Sequence, residues 1–265
     1  MPHILPHTKK SLGQHWLQDD FSLEAMLVAA EITEQDTVLE IGPGPGTLTE
    51  KLVDNAKQVV AVEFDENLAH ELPARVPATN LQVVHQDILR FDLTSLPPNY
   101  KVVANIPYYL TSNLLRNLCE SPNHFSTAAI LIQKEVAERV CARPGDMSLL
   151  SVSVQFYCEA WLDLLVPAEL FTPPPKVDSQ ILKLKYRKEL LFPDVDTQIF
   201  FRIVKAGFSQ RRKTILNSLS AGLHLTKPQV KEMLDQAGIL PTTRAQNLTL
   251  ADWYNLYKTS HIKNT

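Results

Sequence analysis

Short apolar runs rich in β-branched residues alternate with segments of helical periodicity through the first half of the chain. The apolar runs are Thr37 to Ile41, Gln58 to Val62, Leu81 to His85, Lys101 to Asn105 and Ala128 to Gln133. The segments that predict helices between them are Thr47 to Asn55, Glu66 to Arg75 and Ser112 to Glu120. Strands that alternate with helices in this way form a parallel sheet with helices on its faces. The pattern therefore predicts a doubly wound α/β fold.

The pattern of predicted secondary structure changes in the second half of the chain. Two β-rich runs, Ser151 to Tyr157 and Ile181 to Tyr186, predict further strands at the edge of the same sheet. Beyond Pro193 the helical patterns are Thr197 to Gly207, Arg211 to Leu219 and Leu250 to Lys258, with Gly222 and Gly238 as expected helix ends. We therefore predict two domains, a sheet domain of residues 1–190 and a small helical domain of residues 191–265.

Composition excludes several classes of protein. The chain has 265 residues, of which 45% are hydrophobic, enough for one α/β core and a small second domain. No run approaches the roughly 18 apolar residues of a membrane span, and the N-terminal residues lack a signal-peptide core, so we expect a cytoplasmic protein. Cys119, Cys141 and Cys158 are far apart, without ligand spacing, so neither a metal site nor a disulfide framework is predicted.

The net charge of −3 conceals an asymmetry along the chain. Residues 1–175 carry 11 Lys and Arg against 22 Asp and Glu, a net charge of −11. Residues 176–265 carry 15 against 7, a net charge of +8. A basic C-terminal third on an acidic body indicates that one end meets a polyanion. The alternative is a solvated helical surface that happens to be rich in lysine.

A glycine-rich loop follows the first predicted strand, with Gly42, Gly44 and Gly46 separated by prolines. Glycines at this spacing let the backbone come close to a ligand at the strand end. A dinucleotide-binding motif needs its third glycine three places after the second, and Thr47 stands there. The loop therefore favours S-adenosylmethionine, which has no phosphates and needs acidic groups for its ribose and adenine.

Acidic residues follow the next two strands. Glu63 comes about twenty residues after the glycine loop, where a carboxylate can accept both ribose hydroxyls of such a ligand. Asp87 follows the third strand, where its carboxylate can accept a hydrogen bond from the adenine amine. Either residue alone is better explained as a solvated loop residue. Together and in order, they predict a cofactor site at the carboxyl ends of the strands.

The run Asn105-Ile106-Pro107-Tyr108 closes the fourth strand. An exocyclic amine on a base is a poor nucleophile, so an enzyme must hold its nitrogen where pyramidal geometry is favoured. The side-chain carbonyl of Asn105 and the main-chain carbonyl of Ile106 can accept its two N–H groups. Pro107 fixes the turn, and Tyr108 offers a flat face for stacking. The alternative is a simple turn after a buried strand.

Together these motifs resemble the ribosomal RNA adenine N6-dimethyltransferase family, and within it the branch acting on 16S RNA of the small subunit. The resemblance runs nearly end to end. Its segments are Lys10 to Leu17, Glu40 to Gly46, Asn105 to Tyr108, Gln133 to Arg139, Phe171 to Ser179 and Phe208 to Leu219. The resemblance implies a Rossmann-like, S-adenosylmethionine-dependent methyltransferase domain.

The resemblance also implies roles for single residues. His15 and Leu17 are expected to cover S-adenosylmethionine, which also contacts the glycine loop, the two acids and Asn105. The full set of expected cofactor-binding residues is His15, Leu17, Gly42, Gly44, Glu63, Asp87 and Asn105. Phe171 is expected to hold the target base against Tyr108. The alternative is that Phe171 is a core residue that anchors the chain before a proline loop. Asn105, Pro107, Tyr108 and Phe171 form the expected catalytic set.

RNA contact is expected from basic residues outside this set. Arg211, Arg212 and Lys213 are predicted to open an amphipathic helix and to place cations beside phosphates, with Lys176 as a further contact. The expected partner is 16S rRNA within the small ribosomal subunit or its precursor, bound by a monomer. One loop departs from the family, because Asp146 to Ser151 replaces a Tyr-Gly-Arg-Leu-Ser run.

The predicted reaction is transfer of methyl groups from S-adenosylmethionine to N6 of adenine, giving N6,N6-dimethyladenosine. No general base is expected, since the proton of the cationic product amine can leave to solvent. One alternative is a ribosome-assembly factor that keeps the fold without catalysis. Another is an enzyme for 23S RNA. An amine methylase for DNA or protein glutamine is disfavoured, because Ile106 replaces the first proline of its usual loop.

Overall fold

The computed structural model describes residue 6, residues 8 and 9, and residues 13–260. The strands are β1 Trp16–Leu17, β2 Thr37–Ile41, β3 Gln58–Glu63, β4 Leu81–His85, β5 Lys101–Asn105, β6 Thr127–Gln133, β7 Cys158–Val166, β8 Phe171–Thr172 and β9 Ser179–Tyr186. The α-helices are α1 Asp20–Ala29, α2 Thr47–Asn55, α3 Glu66–Arg75, α4 Thr111–Glu120, α5 Lys134–Val140, α6 Leu149–Tyr157, α7 Thr197–Phe208, α8 Ile215–Leu223, α9 Lys227–Ala237 and α10 Leu250–Thr259.

The larger sheet has seven strands in the order β4-β3-β2-β5-β6-β9-β7. The first five are parallel, and β9 runs antiparallel to both of its neighbours. The chain builds outward from β2 to β4 and then returns to place β5 on the other side of β2. The carboxyl ends of β2 and β5 therefore flank a topological switch point, where open α/β sheets bind ligands.

The apolar core beside this sheet is built from α1, α2 and the inner strands. Asp19 caps α1 by accepting the N–H of Ser22 at 2.8 Å, which starts the helix where its apolar face begins. Leu23, Met26 and Leu52 are buried in one cluster with side chains of β2, β3, β5 and β6. Each such side chain stabilises the fold by about 1.5–3 kcal/mol through burial.

The doubly wound α/β fold predicted from the sequence is confirmed. All five predicted parallel strands and the three helices between them agree with the structure to within one residue at each end. The predicted strand Ile181 to Tyr186 lies within β9, and two predicted C-terminal helices correspond to α7 and α10. Helices α1, α5 and α9 and strands β1, β7 and β8 were not predicted.

The prediction of a strand over Ser151 to Tyr157 is wrong, because these residues lie in α6. The alternation of valines and serines imitates a strand, yet the helix is buried on several sides and so shows no helical period. Ser148 starts it, since its hydroxyl accepts the N–H of Ser151 at 3.2 Å and its own N–H donates to Ser151 Oγ at 2.6 Å. The edge strand of the sheet is β7.

Two predicted bounds around α8 are also wrong. The helix begins at Ile215, so Arg211, Arg212 and Lys213 lie in the preceding turn rather than in its first turn. Thr214 stands before the first helical residue, and threonine there is a start signal that the sequence reading missed. Gly222 lies inside α8, where a Cβ would come 2.7 Å from the Cα of Ala206. It permits close packing of α8 on α7 and does not end the helix.

The chain divides into two compact units. The first comprises residues 1–137 and 158–186, and the second comprises residues 138–157 and 187–265. The sequence predicts one boundary at residue 190, whereas this grouping puts residues 138–157 with the C-terminal helices. The physical reason is the aromatic cluster around Phe156 on α6, whose ring centroid lies 4.8 Å from that of Phe200 on α7. Among the described residues no helix is long and apolar enough to span a bilayer.

Candidate active site

A cavity of about 270 Å³ opens in the first unit at the carboxyl ends of β2, β3, β4 and β5. Its walls are residues 41–42, 62–64, 86–89 and 105–110 from the four strand ends, completed by residues 13–16 and Phe171. The volume is near the lower end of the range for small-molecule sites. No group of three or more His, Cys, Asp or Glu side chains suited to a metal ion occurs in the described part of the chain.

Gly42, the first glycine of the loop, forms part of the cavity wall, and Gly44 lies behind it. Gly42 and Gly44 have φ angles of +68° and +56°, a region that L side chains rarely adopt. A Cβ at Gly44 would also lie 2.6 Å from Cζ3 of Trp16, whose ring covers the loop. The indole N–H of Trp16 donates to the carbonyl of Pro6 at 3.1 Å. Glycine is therefore required at position 44 by both conformation and space.

Glu63 ends β3 with a buried carboxylate held by main-chain donors. Oε2 accepts the N–H of Gly44 at 3.1 Å, and Oε1 accepts the N–H of Asp65 at 2.8 Å. Burial raises the pKa of Glu63, and the backbone donors oppose that effect. Each oxygen retains a second acceptor site, so the carboxylate is oriented and can still receive two hydroxyl groups.

Asp87 lies just after β4 and caps a short 3₁₀ helix, Ile88–Arg90. Its Oδ1 accepts the N–H of Leu89 at 3.0 Å, which fixes the carboxylate at the cavity wall. The side chains of Ile88 and Leu89 line the cavity beside it. An acidic acceptor next to apolar side chains suits a flat heterocycle that carries an amine.

Asn105 ends β5 and faces the same cavity. Its Nδ2 donates to the carbonyl of His15 at 3.5 Å, a long hydrogen bond that turns the amide nitrogen toward the segment of residues 13–16. Pro107 has φ −57° and ψ 135°, and it starts the turn Tyr108–Leu110. Because the amide nitrogen is engaged, the Asn105 carbonyl is left as an acceptor.

Tyr108 and Phe171 both line the cavity but are held in different ways. The Tyr108 hydroxyl is hydrogen-bonded to Ser179 Oγ at 3.0 Å, and its ring stacks with His15 at a centroid distance of 6.2 Å. Burial raises the pKa of the Tyr108 phenol, and the hydrogen bond to Ser179 opposes that effect. Phe171 is 3% exposed and pairs with Leu17 through strands β8 and β1. Phe171 is therefore both a core residue and part of the cavity wall.

Glu40 lies behind the glycine loop and was not singled out from the sequence. Its carboxyl group is 1% exposed, and among the described residues neither oxygen has a hydrogen-bond partner. Burial raises the pKa of Glu40 to about 8, to which the nearby charge of Glu63 also contributes. The buried hydroxyl of Thr49 lies near this carboxyl group and lowers its pKa, which opposes burial, but it forms no hydrogen bond with either oxygen.

The structure brings together most of the predicted cofactor residues. His15, Gly42, Glu63, Asp87 and Asn105 line the cavity. Gly44 and Leu17 do not line it: Gly44 acts through its bond to Glu63, and Leu17 is 1% exposed in the core. The carbonyl of Leu17 accepts the hydroxyl hydrogen of Thr47 at 3.0 Å, which joins β1 to the start of α2.

Two cavity residues were missed in the sequence and carry a recognisable signal. Phe64 follows Glu63 directly and is 59% exposed, and Tyr109 follows Tyr108 and is 66% exposed. Both line the cavity. Large aromatic side chains are seldom left in solvent without a partner, so their position immediately after two proposed site residues could have identified them.

The residues predicted to bind RNA are exposed and do not line the cavity. Lys176 lies in the loop between β8 and β9. Arg211, Arg212 and Lys213 lie in the turn between α7 and α8, where the N–H of Lys213 donates to the carbonyl of Gln210 at 3.0 Å. Their RNA contact stays a prediction. The first part of the resembling segment Lys10 to Leu17, namely residues 10–12, lies outside the described residues.

Known proteins resemble this chain along almost its whole length. The chain matches the profile of the family described as ribosomal RNA adenine dimethylase over residues 6–261. The ribosomal RNA small subunit methyltransferase A of Dehalococcoides mccartyi (strain CBDB1) is 41% identical over 252 residues, which cover 94% of this chain and 87% of that protein. The protein of the same name from Streptococcus pneumoniae (strain R6) is 41% identical over 261 residues, which cover 94% and 90%.

Solved structures agree with this assignment. A dimethyladenosine transferase from Plasmodium falciparum superposes with a TM-score of 0.78 at 29% identity, over 91% of this chain and 96% of that one. The 23S rRNA methyltransferase ErmE superposes with a TM-score of 0.73 at 30% identity, over 92% and 98%. The family and its fold imply use of S-adenosylmethionine. By its sequence and its fold, the chain belongs to the ribosomal RNA adenine dimethylase family and is an rRNA adenine dimethyltransferase.

Proposed function

We propose that this enzyme transfers methyl groups from S-adenosylmethionine to N6 of adenine in 16S rRNA, giving N6,N6-dimethyladenosine during small-subunit biogenesis. The observation that carries the proposal is the convergence of Glu63, Asp87 and the Asn105–Tyr108 loop on one cavity. The names of relatives at 41% identity support the small-subunit branch.

The residues around the cavity fit S-adenosylmethionine. Gly42 allows the backbone to approach its amino-acid part, and Glu63, oriented by the N–H of Gly44, retains acceptor sites for two ribose hydroxyls. Asp87 accepts a hydrogen bond from its adenine amine in this proposal, and the exposed ring of Phe64 offers an apolar face next to Glu63. In this proposal His15 covers the bound cofactor, while Leu17 supports that cover from the core.

Bound S-adenosylmethionine supplies an electrophilic methyl group, so the protein's task is alignment of the target amine. Asn105 offers its side-chain carbonyl to one N–H of that amine, and Ile106 offers its main-chain carbonyl to the other. Pro107 holds the turn that presents both acceptors. These contacts favour a pyramidal nitrogen with its lone pair directed at the methyl group, which is the geometry of the transition state.

The target adenine is proposed to stack between Tyr108 and Phe171. His15 already occupies one face of Tyr108, so the base uses the other face. A base can reach this cavity only when it is flipped out or single-stranded. Lys176 and Arg211 to Lys213 are proposed to hold the RNA backbone, and the enzyme is proposed to act as a monomer in the cytoplasm.

The proposal is tested by methyl transfer from labelled S-adenosylmethionine to unmethylated small ribosomal subunits. Large subunits and naked DNA are assayed in parallel, and digested nucleosides are identified by mass. We expect dimethyladenosine in small subunits alone. Dimethyladenosine in large subunits alone would place the enzyme with 23S methyltransferases such as ErmE. Tight subunit binding without label would identify an assembly factor that does not catalyse.

A further inference from the structure

Lys9 does not line the cavity, yet it is tied to residues that form it. Its Nζ lies 2.7 Å from Oδ2 of Asp65, whose side chain is 2% exposed, whereas the side chain of Lys9 is 50% exposed. The main-chain N–H of Lys9 donates to Oε1 of Gln14 at 2.7 Å, and Gln14 lines the cavity. Both the ammonium group and the backbone of Lys9 are therefore fixed.

Asp65 connects Lys9 to the proposed ribose acceptor. The N–H of Asp65 donates to Oε1 of Glu63 at 2.8 Å. Its carboxylate caps α3, since Oδ1 accepts the N–H of Asn67 at 3.1 Å, while Oδ2 pairs with Lys9. Burial would raise the pKa of Asp65, but the hydrogen bonds from Lys9 and Asn67 outweigh burial and lower the pKa.

Removal of the Lys9 ammonium would leave the buried Asp65 carboxylate without its opposite charge, held, among the described residues, only by the main-chain N–H groups of Asn67 and Leu68. A buried charge that loses its partner is strongly unfavourable, so Asp65 must either move or take up a proton. Movement disturbs the main-chain N–H that Asp65 gives to Glu63 Oε1. Glu63 Oε2 is held separately by Gly44, so loss of the first bond lets the carboxylate rotate.

We propose that Lys9 is a positioning residue for the cofactor, which through Asp65 holds the Glu63 carboxylate in the orientation that receives the ribose hydroxyls. The inference rests on the proposed role of Glu63. It assigns to Lys9 a function in cofactor affinity rather than in RNA binding, although an exposed basic residue on an RNA enzyme would ordinarily be assigned to RNA.

The test measures the dissociation constant of S-adenosylhomocysteine by calorimetry, far below the thermal midpoint of each variant. Lys9→Met should weaken binding about tenfold, because that factor corresponds to the free energy of one charge-assisted hydrogen bond. Lys9→Arg keeps the charge and should stay within about twofold of the unaltered enzyme. Lys51→Met is the matched control, because Lys51 pairs with Asp20 at 2.9 Å on α1 and does not line the cavity.

A double-mutant cycle separates this role from general stabilisation. Asp65→Asn keeps an acceptor for the α3 cap but loses the charge, so Lys9→Met should add little to its effect. Additive losses would overturn the inference, as would unchanged binding in Lys9→Met or a loss confined to RNA affinity. If the unaltered enzyme itself does not bind S-adenosylhomocysteine, the proposed function fails rather than the role of Lys9.

Discussion

At the scale of single residues, Glu40 has the environment least suited to an ordinary carboxyl group. It is buried, lacks a hydrogen-bond partner among the described residues, and has a pKa raised to about 8 by burial. A carboxyl group whose pKa is higher in the folded state than in the unfolded chain favours folding only while it is protonated. Its contribution is therefore fully present below about pH 4.5 and is lost as pH rises toward 8.

Glu40→Gln should remove this pH dependence. We expect the free energy of unfolding of the unaltered protein to fall between pH 5 and pH 8 by at most about 1.4 kcal/mol per pH unit, and that of the variant to fall less. Urea unfolding at several pH values measures the difference. Glu34→Gln, at an exposed position, is the control and should follow the unaltered protein. Parallel curves for Glu40→Gln and the unaltered protein would show that Glu40 does not titrate in this range.

Asn105 is expected to matter more for the first methyl transfer than for the second. Asn105→Ala removes one acceptor for the target amine, and a monomethylated amine has one N–H fewer to be held. We predict a loss of about 10²-fold in the first transfer and a smaller loss in the second. Nucleoside masses during the reaction measure both steps.

Asn55→Ala on α2 provides the control for this change. Among the described residues, the exposed Asn55 side chain donates to the carbonyl of Lys51 at 2.8 Å and bonds no other group. The rates of this variant should equal those of the unaltered enzyme. If Asn105→Ala accumulated monomethyladenosine while the rate of the first transfer was unchanged, the assignment of Asn105 to the first step would be wrong.

At the scale of elements, the local sequence pattern was sufficient to predict an element where its buried residues follow the pattern typical of that element. The central strands β2 and β5 contain short buried apolar runs, Val38-Leu39 and Val102 to Ala104, and were predicted at their observed bounds. Helix α6 was mistaken for a strand because it is buried on several sides. Strand β7 was missed because most of its residues are not buried, and its place is set by pairing with β9, distant in sequence.

The contact between Trp16 and the glycine loop also depends on residues far apart in sequence, and it can be tested. Gly44→Ala should lower the free energy of unfolding by more than the roughly 1–2 kcal/mol of left-handed backbone strain, because its Cβ would meet the Trp16 ring at 2.6 Å. It should also weaken S-adenosylhomocysteine binding about tenfold or more, since the Gly44 N–H orients Glu63. Unfolding in urea and calorimetry measure the two effects.

Gly238→Ala supplies the matched control for the change at Gly44. Gly238 has a φ of +73°, and a Cβ there would have nothing within 4 Å. This variant should therefore show the backbone cost alone, with cofactor binding unchanged. Equal losses of stability in both variants, with binding retained in Gly44→Ala, would mean that the Trp16 contact does not shape the loop.

At the scale of the whole molecule, the sequence predicted the acceptors at the carboxyl ends of the strands, because parallel strands bring their ends to one edge. It did not predict that Lys9 pairs with Asp65 or that Trp16 packs on Gly44, because each contact joins residues far apart in sequence. The charge asymmetry follows the two units: residues 138–157 and 187–265 carry 14 Lys and Arg against 8 Asp and Glu, a net charge of +6.

This excess of positive charge leads to a prediction about RNA affinity. Arg211, Arg212 and Lys213 are exposed in one turn, so replacement of all three by alanine should remove two or three phosphate contacts. The slope of log affinity against log salt concentration is negative, and each lost contact reduces its magnitude by about 0.7–0.9. The magnitude should therefore decrease by about two. Filter binding to small subunits across a salt series measures it. Alanine at the exposed Lys227 and Lys231 of α9 is the control, for which we expect a change below about one. An equal slope in the triple variant and the unaltered enzyme would remove this turn from the RNA-binding surface.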